Sequence, residues 1–192
     1  LEVIQRSSDF LQQKGVDSPR LQIELILGRV LGLPRLKLYL DFNRTLTEAE
    51  LSRVREMVKR RGEREPLQHI LGSTSFFGLE IKCSRDALVP RPETELLAER
   101  AWQFLATLRQ EDVTALDFGT GTGCIAIAMA VHVPTVRIHA VDISSAALAL
   151  ARENAAQHDV PDRITFIEGH AFAALAPGAQ FDLIVSNPPY LA

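Results

Sequence analysis

The stretch LDFGTGTGC at residues 116–124 links a short run of apolar residues to an apolar segment of helical character. Glycines at such a turn let a ligand approach the backbone at the carboxyl end of a strand, beside a helix N-terminus. The stretch therefore predicts a strand–loop–helix unit that binds a ligand. The candidate contacts in the loop are Gly119, Thr120, Gly121 and Gly123.

The second half of the chain alternates between strand-like and helix-like segments. Strands are predicted at 113–117, 137–142, 163–168 and 181–186, and helices at 124–133, 144–157 and 171–175. Such alternation is typical of a parallel sheet with helices on both faces. The sequence thus predicts an α/β fold with a doubly wound, Rossmann-like sheet.

Two acidic residues accompany the glycine loop. Asp117 precedes it, and Asp142 ends the next strand, 19 residues after Gly123. A carboxylate in the second position can accept hydrogen bonds from both ribose hydroxyls of a nucleoside. Dinucleotide enzymes prefer G-x-G-x-x-G, whereas this loop reads D-x-G-x-G-x-G, and Asp117 would repel a pyrophosphate. A carboxylate there pairs with an ammonium group, which favours S-adenosylmethionine over a dinucleotide or a ligand-free turn.

Two further positions are candidate contacts to the same cofactor. Ile143 directly follows Asp142, and His170 follows the third predicted strand, where an adenine ring would lie. A carboxylate or amide would accept from the adenine amino group better than histidine does, so a backbone N–H is the alternative to His170. Asn154 is predicted to lie on the protein surface.

The tetrapeptide Asn187-Pro188-Pro189-Tyr190 follows the last predicted strand. An asparagine side-chain oxygen and a proline carbonyl can each accept one hydrogen from an –NH2 group. Proline stiffens the turn, and Tyr190 supplies an aromatic face. We therefore predict Asn187, Pro188 and Tyr190 as catalytic residues that hold a planar nitrogen beside a methyl donor.

The first third of the chain is predicted to be helical. Helices are expected at 3–14, at 19–32 after a capping side chain in Asp17-Ser18, at 34–40, and from Thr47, which starts a capping box with Glu50. Residues 66–72 are interpreted as a connector, 74–83 as a β-hairpin and 93–108 as a helix. The predicted domains are a helical domain at 1–64, a hairpin linker at 65–84 and an α/β domain at 85–192.

Composition narrows the function classes. The 192 residues carry a net charge of −3, which gives no sign of a nucleic-acid-binding surface. Two widely separated cysteines without a histidine-rich partner pattern predict neither a disulfide framework nor a metal site, and favour the cytoplasm. No apolar run is long enough for a membrane span.

These motifs together resemble a known family. The glycine loop with Asn187-Pro188-Pro189-Tyr190 resembles the class I methyltransferases that modify amino nitrogens. The segment LVPRPETELL at 88–97 resembles the P-R-P-E/D-T-E segment of the release-factor glutamine methyltransferases, the HemK/PrmC group. PLQHILG at 66–72 and FFG at 76–78 resemble the same group, as does the helical N-terminal region.

The resemblance implies an activity, a partner and site residues. The activity is transfer of a methyl group from S-adenosylmethionine to the N5 side-chain amide of the glutamine in the Gly-Gly-Gln motif of peptide chain release factors, with S-adenosylhomocysteine as product. The helical domain would recognise the substrate. His170 departs from the family, which commonly has an acid there. The glutamine would contact Asn187, Pro188, Pro189 and Tyr190, together with Pro90, Arg91 and Glu93, and the cofactor would contact the loop, both aspartates, Ile143, His170 and Asn187.

Several alternatives remain open from the sequence. An adenine-N6 methyltransferase or a ribosomal-protein glutamine methyltransferase would share the Asn187–Tyr190 motif. The resemblance implies a larger sheet than the predicted strands provide, so we expect a truncation after this motif, with C-terminal strands missing and an open edge at 181–186. An inactive fragment is therefore a further alternative, and the sequence leaves the oligomeric state undetermined.

Overall fold

A computed structural model describes residues 2–40 and 44–188 of the chain. Contacts divide the chain into two compact units, with the division between Leu71 and Gly72. Each unit has its own cluster of buried apolar side chains. No helix in the described ranges has both the length and the apolar character that crossing a membrane requires.

The first unit is helical. Its elements are α1 (Glu2–Gln13), α2 (Pro19–Leu31), a 3-10 helix (Arg35–Tyr39), α3 (Glu48–Gly62) and α4 (Leu67–Leu71). The apolar faces of the first three α-helices meet in a core that includes Leu11, Ile23, Ile26, Val54 and Val58. Burial of these faces, rather than helix propensity alone, holds such short helices in place.

The helix boundaries of this unit test the sequence signals. The capping box is confirmed, because Thr47 Oγ1 accepts from Glu50 N at 3.3 Å and Glu50 Oε2 accepts from Thr47 N at 2.7 Å. The side-chain cap predicted in Asp17-Ser18 is not found at the N-cap residue Ser18, which has φ +47° and makes no side-chain capping bond; α2 instead begins at Pro19, whose fixed φ suits the first turn, and Gln22 N donates to the Ser18 carbonyl at 3.2 Å.

The predicted connector at 66–72 is also corrected. It contains the short helix α4, which begins where the Pro66 carbonyl accepts from His69 N and Ile70 N. Leu67 and Leu71 pack against the core of the first unit. Packing of these two leucines gives the segment a helical turn that its short length did not predict.

The second unit begins with the predicted β-hairpin. Strands β1 (Ser73–Phe76) and β2 (Leu79–Lys82) pair antiparallel, and the two turn residues Phe77 and Gly78 have φ +49° and +76°. Positive φ at both positions matches the twist of a two-residue hairpin. The hairpin belongs to the second unit, and the three-part division with separate roles stays a prediction.

The parallel α/β sheet is confirmed. Its strands are β3 (Thr114–Phe118), β4 (Arg137–Asp142), β5 (Ile164–Glu168) and β6 (Leu183–Ser186), in the order β5-β4-β3-β6, and all neighbours are parallel. Helices α6 (Cys124–His132) and α7 (Ser145–Gln157) connect β3 to β4 and β4 to β5. Helix α5 (Pro92–Thr107) precedes β3, and 3-10 helices at Pro161–Arg163 and Ala171–Ala174 flank β5.

One face of the sheet packs against helices. Its inward side chains Ala115, Ile138, Ala140, Ile164 and Val185 share a buried cluster with residues of α5 and α6. Within the described residues, β6 pairs only with β3, and its Ile184 is half exposed on the other face. From β3 the chain adds β4 and β5 on one side, and it then returns to add β6 on the other side of β3. Ligands bind beside such a switch point, at the carboxyl ends of the strands.

Asn154 corrects a prediction, because it is fully buried rather than on the surface. Its Oδ1 accepts from Lys82 N at 2.8 Å, and its Nδ2 donates to Lys82 O at 3.2 Å and to Thr122 O at 2.9 Å. Three backbone groups of the hairpin and the glycine loop therefore depend on one side chain of α7. A buried polar side chain is stable only when it is bonded in this way.

We expect Asn154→Ala to lower the free energy of unfolding by about 2–4 kcal/mol, because it leaves buried backbone groups without partners. Gln157→Ala is the matched control on the same helix, since Gln157 is exposed and donates a single bond to Glu80 O. The control should cost about 0.5 kcal/mol or less. Urea titrations measure both values, and equal losses would contradict the linking role of Asn154.

Candidate active site

The register of the sheet brings three predicted site residues to one edge. Asp117 lies opposite Ala140 and Val185, and Phe118 lies opposite Val141 and Ser186. The next positions on the three strands are Gly119, Asp142 and Asn187. Because parallel strands end on the same side of the sheet, these three residues lie next to one another at the carboxyl ends of β3, β4 and β6, where such folds bind ligands.

The glycine loop is packed closely on several sides. Gly119, Gly121 and Gly123 have φ of +71°, +55° and +79°, a region that side chains rarely adopt. A Cβ on Gly119 would lie 3.9 Å from the Pro188 Cα, and one on Gly123 would lie 3.1 Å from the Cβ of Ala151 on α7. The loop thus touches the Asn-Pro turn on one side and α7 on another.

The loop also borders the segment that precedes α5. A Cβ on Gly121 would lie 3.8 Å from the Ala87 Cβ. The nitrogens of Gly119 and Thr120 both donate to the Val141 carbonyl, at 2.8 and 3.0 Å. These bonds attach the loop to β4 and fix its path at the end of the sheet.

Asp117 is completely buried at the start of the loop. Its Oδ2 accepts from Thr120 Oγ1 at 2.7 Å and from Ala126 N at 3.2 Å. Its Oδ1 is buried and has no hydrogen-bond partner among the described residues. Burial raises the pKa of Asp117 to about 6, with a smaller contribution from the charge of Asp142, although both hydrogen bonds oppose the rise.

Asp142 is half buried and held by backbone donors. Its Oδ2 accepts from Gly121 N at 2.8 Å and its Oδ1 accepts from Ser144 N at 3.0 Å. A carboxylate oxygen has two acceptor sites, so each oxygen can still accept a ligand hydroxyl. Ile143, the next residue, exposes 67 % of its surface at this edge.

The structure places His170 on the surface, at the start of the 3-10 helix that follows β5. The backbone near it is engaged, because Gly169 N donates to the Asp142 carbonyl at 3.0 Å. In the same helix Phe172 stacks on Phe118, with ring centroids 5.7 Å apart. Apolar surface from Ile143 and Phe172 therefore accompanies the polar groups at this end of the sheet.

Asn187 is half buried, and its Nδ2 donates to Thr94 Oγ1 at 2.7 Å. Pro188 follows as an exposed residue. Pro189 and Tyr190 lie outside the described residues, so their predicted contacts to a substrate stay predictions.

The three residues around the start of α5 that were predicted to contact the substrate are not the ones that contact other parts of the protein. Pro90 is half buried, while Arg91 and Glu93 are exposed. The next two residues reach neighbouring elements: Thr94 contacts Asn187, and Glu95 Oε1 accepts from Phe77 N at 3.0 Å.

Sequence reasoning missed Thr94, although a signal was present. Thr94, Ala98, Ala101 and Leu105 form the buried stripe of α5. A polar residue on such a stripe requires a hydrogen-bond partner, and that requirement singles Thr94 out.

The donor and acceptor groups fit a cationic nucleoside. Asp117 Oδ1, which has no partner in the described part of the chain, is an acceptor that can pair with an ammonium group, and the oriented Asp142 carboxylate suits a ribose diol. The glycines allow the loop its positive φ values, and with them the path that the backbone takes past the ends of the strands. The site therefore suits a ligand that combines a positive charge with a nucleoside.

Comparison with known proteins agrees with this reading. Residues 99–192 match the family profile described as "Methyltransferase small domain", and residues 2–72 match that described as "PrmC N-terminal domain". The fold and the matched regions define a methyltransferase domain preceded by a helical domain.

Curated relatives then specify the family. The chain is 44 % identical to the release factor glutamine methyltransferase of Chlorobaculum tepidum, over all of this chain and 67 % of that protein. It is 38 % identical to that of Rhodopirellula baltica and 42 % to that of Geobacter sulfurreducens, with 100 % and 99 % of this chain and 66 % and 64 % of those proteins covered. The chain belongs to the release factor glutamine methyltransferase family, and it spans about two thirds of the length of these relatives.

Solved structures with a similar arrangement are more distant. One is described as the N-terminal domain of human METTL16 in complex with SAH, at 18 % identity and a TM-score of 0.47, covering 74 % of this chain and 54 % of that one. Another is the "Human methyltransferase 10 domain containing protein", at 20 % identity and a TM-score of 0.48, covering 60 % and 56 %.

Asp117 makes the stability depend on pH in a predictable direction. The pKa of Asp117 is higher in the folded protein than in the unfolded chain. Its contribution to the free energy of unfolding is therefore fully present below about pH 4 and is lost as the pH rises through about 6. The difference in free energy of unfolding between Asp117→Asn and wild type should therefore shift in favour of the variant by about 2–3 kcal/mol as the pH rises from 4 to 7. Denaturant titrations at several pH values measure this difference.

Asp182→Asn is the matched control of opposite sign. Hydrogen bonds from Thr114 N and the Gln110 side chain hold the Asp182 pKa below its usual range. The contribution of the Asp182 carboxylate to stability is present above its unfolded pKa and is lost as the pH falls. Asp182→Asn should therefore be destabilised more at neutral pH than at acidic pH. Parallel pH dependence for the two variants would contradict the burial argument for Asp117.

Proposed function

We propose that the protein transfers a methyl group from S-adenosylmethionine to the N5 side-chain amide of a glutamine, in the Gly-Gly-Gln motif of peptide chain release factors. The observation that carries the proposal is the position of Asn187. Its side-chain amide follows the edge strand beside the glycine loop, and its nitrogen is already bonded to Thr94. This arrangement leaves Oδ1 as an acceptor for a substrate –NH2 group.

The cofactor would be held by residues of the glycine loop and β4. Asp117 would bind the ammonium group and Asp142 the ribose hydroxyls, with Gly119, Thr120, Gly121 and Gly123 against the ligand. Ile143 supplies exposed apolar surface for the base, and His170 stands nearby on the surface. S-adenosylmethionine supplies an electrophilic methyl group on a sulfonium whose departure as a thioether needs no metal or protein nucleophile.

The chain's own groups act by positioning the substrate. A primary amide nitrogen is a poor nucleophile because its lone pair is delocalised. Asn187 Oδ1 and the Pro188 carbonyl would accept hydrogen bonds from its two N–H groups, which directs the nitrogen and favours the positive charge that develops on it. As the C–N bond forms, the S–C bond breaks to leave the neutral thioether S-adenosylhomocysteine, and the nitrogen then loses one proton to solvent. Tyr190 and Pro189 would enclose the amide, and Pro90, Arg91 and Glu93 would contact the residues around the glutamine.

The partner and the location follow from the proposed substrate. Release factors act in translation, so we place the activity in the cytoplasm. The helical first unit would recognise the release factor, and no direct contact with nucleic acid is proposed, because the net charge is −3.

Asn187→Ala and Asp142→Ala should fail in different ways. Asn187→Ala should lower kcat by about 100-fold or more, because it removes an acceptor that aligns the amide, while the Kd for S-adenosylmethionine stays within about twofold. Asp142→Ala should raise that Kd by about tenfold or more. Calorimetry and transfer of labelled methyl groups to a release factor, with the natural gene product that contains this sequence, measure the two effects.

The same assay separates the alternative substrates. Release factor, ribosomal protein and adenine-containing DNA are offered side by side, and methylation of the release factor glutamine alone is expected. Near-normal turnover by Asn187→Ala would refute its role in holding the amide. Methylation of DNA or ribosomal protein in place of the release factor would refute the proposed substrate.

Cofactor binding should also release a proton at acidic pH. Near pH 5.5 the Asp117 carboxyl is largely protonated, and pairing with an ammonium group favours its ionised form. Calorimetry in two buffers of different ionisation enthalpy should therefore show release of roughly half a proton or more per ligand. With Asp117→Asn, or with 5′-methylthioadenosine, which lacks the amino acid moiety, the release should disappear. Equal heats for wild type in both buffers would exclude the ion pair.

A further inference from the structure

We propose that Thr94 is a positioning residue that sets which end of the Asn187 amide faces the substrate. The proposal rests on the proposed function, in which Asn187 accepts a hydrogen bond from a substrate –NH2 group. Thr94 itself touches neither substrate nor cofactor in this proposal. It acts through the 2.7 Å hydrogen bond between Asn187 Nδ2 and Thr94 Oγ1.

Thr94 is suited to this task by its rigid surroundings. It is 5 % exposed and lies in the first turn of α5. Pro92 starts the helix with a fixed φ, and Thr94 N donates to the Arg91 carbonyl at 2.9 Å. This β-branched side chain has two main rotamers in a helix, and its burial together with the bond to Asn187 keeps the hydroxyl oxygen beside the amide.

The chemical reason for such a contact lies in the shape of the amide. The oxygen and nitrogen ends of an asparagine side chain are nearly identical in size, so packing alone cannot orient them. If Nδ2 faced a substrate –NH2 group, donors would meet donors and the substrate would lose an acceptor. A threonine hydroxyl can donate or accept, and here it accepts from Nδ2, so Oδ1 is left to accept from the substrate.

The contact also gives the PRPETE segment at 90–95 a role other than direct substrate contact, namely to hold neighbouring turns in position. Arg91 and Glu93 are exposed, whereas Thr94 and Glu95 make bonds to the Asn-Pro turn and to the hairpin turn. Helix α5 thereby holds two turns that come from strands distant in sequence. The bond from Asn187 spans 93 residues of the chain.

Two variants of Thr94 separate hydrogen bonding from packing. Thr94→Val replaces the hydroxyl with a methyl group of similar size, whereas Thr94→Ser keeps the hydroxyl and removes the methyl. With the natural gene product and a Gly-Gly-Gln peptide, Thr94→Val should lower kcat by about 10- to 100-fold, and Thr94→Ser should stay within about threefold of wild type. The Kd for S-adenosylmethionine should stay within about twofold in both.

A spectroscopic measurement tests the contact without turnover. The side-chain NH2 signals of Asn187 in 15N NMR spectra are assigned by their loss in Asn187→Ala. In wild type and Thr94→Ser one of these hydrogens should exchange slowly with solvent, and in Thr94→Val both should exchange at least tenfold faster. If Thr94→Val proves too unstable for kinetics, the measurement on wild type still tests the contact, because fast exchange of both hydrogens there would overturn it.

The outcomes are distinct. Fast exchange of the Asn187 NH2 group in wild type, or near-normal kcat in Thr94→Val, would overturn the proposal. An equal loss of kcat in Thr94→Ser and Thr94→Val would assign Thr94 to packing and overturn it as well. If wild type does not methylate glutamine but its Asn187 NH2 group is protected through Thr94, the proposed function fails while the orienting contact stands.

Discussion

The parallel register around β3 is the constraint on which the rest of the second unit depends. Ala115, Ile138 and Val185 project to the helix-covered face and bury there, which fixes how the three strands align. A shift by one residue would turn these apolar side chains to the opposite face. It would also separate Gly119, Asp142 and Asn187, so core packing and the geometry of the site are one requirement.

Features that depend on neighbouring residues could be predicted from the sequence. The capping box at Thr47, the hairpin turn at Gly78 and the strand–loop–helix unit around Gly119 are confirmed within a few residues. The parallel order agrees with the alternation of segments, since parallel neighbours need a crossover connection and a helix usually provides it. Asp142 lies beside the loop for the same reason, because it ends the strand next to β3.

Features that depend on distant partners could not be predicted. Asn154 is bonded to groups 32 and 72 residues away, and Thr94 to a group 93 residues away. A single sequence shows a polar residue on a helix but not the backbone or amide that will satisfy it. Ser18 failed for a related reason: its residue type suits a cap, but its left-handed backbone directs the side chain elsewhere.

These distant contacts explain how short loops can form a defined site. Asn154 holds the glycine loop through Thr122, and Thr94 holds Asn187, although neither is proposed to touch the methyl group. Groups fixed before the substrate arrives need no reorganisation during the reaction, so their dipoles can favour the transition state. Asp117 has the opposite effect, because its buried Oδ1, which finds no partner among residues 2–40 and 44–188, destabilises the free protein. In the proposed function, pairing with the ammonium group of the cofactor would remove that cost, so part of the stability withheld from the fold would become affinity for the cofactor.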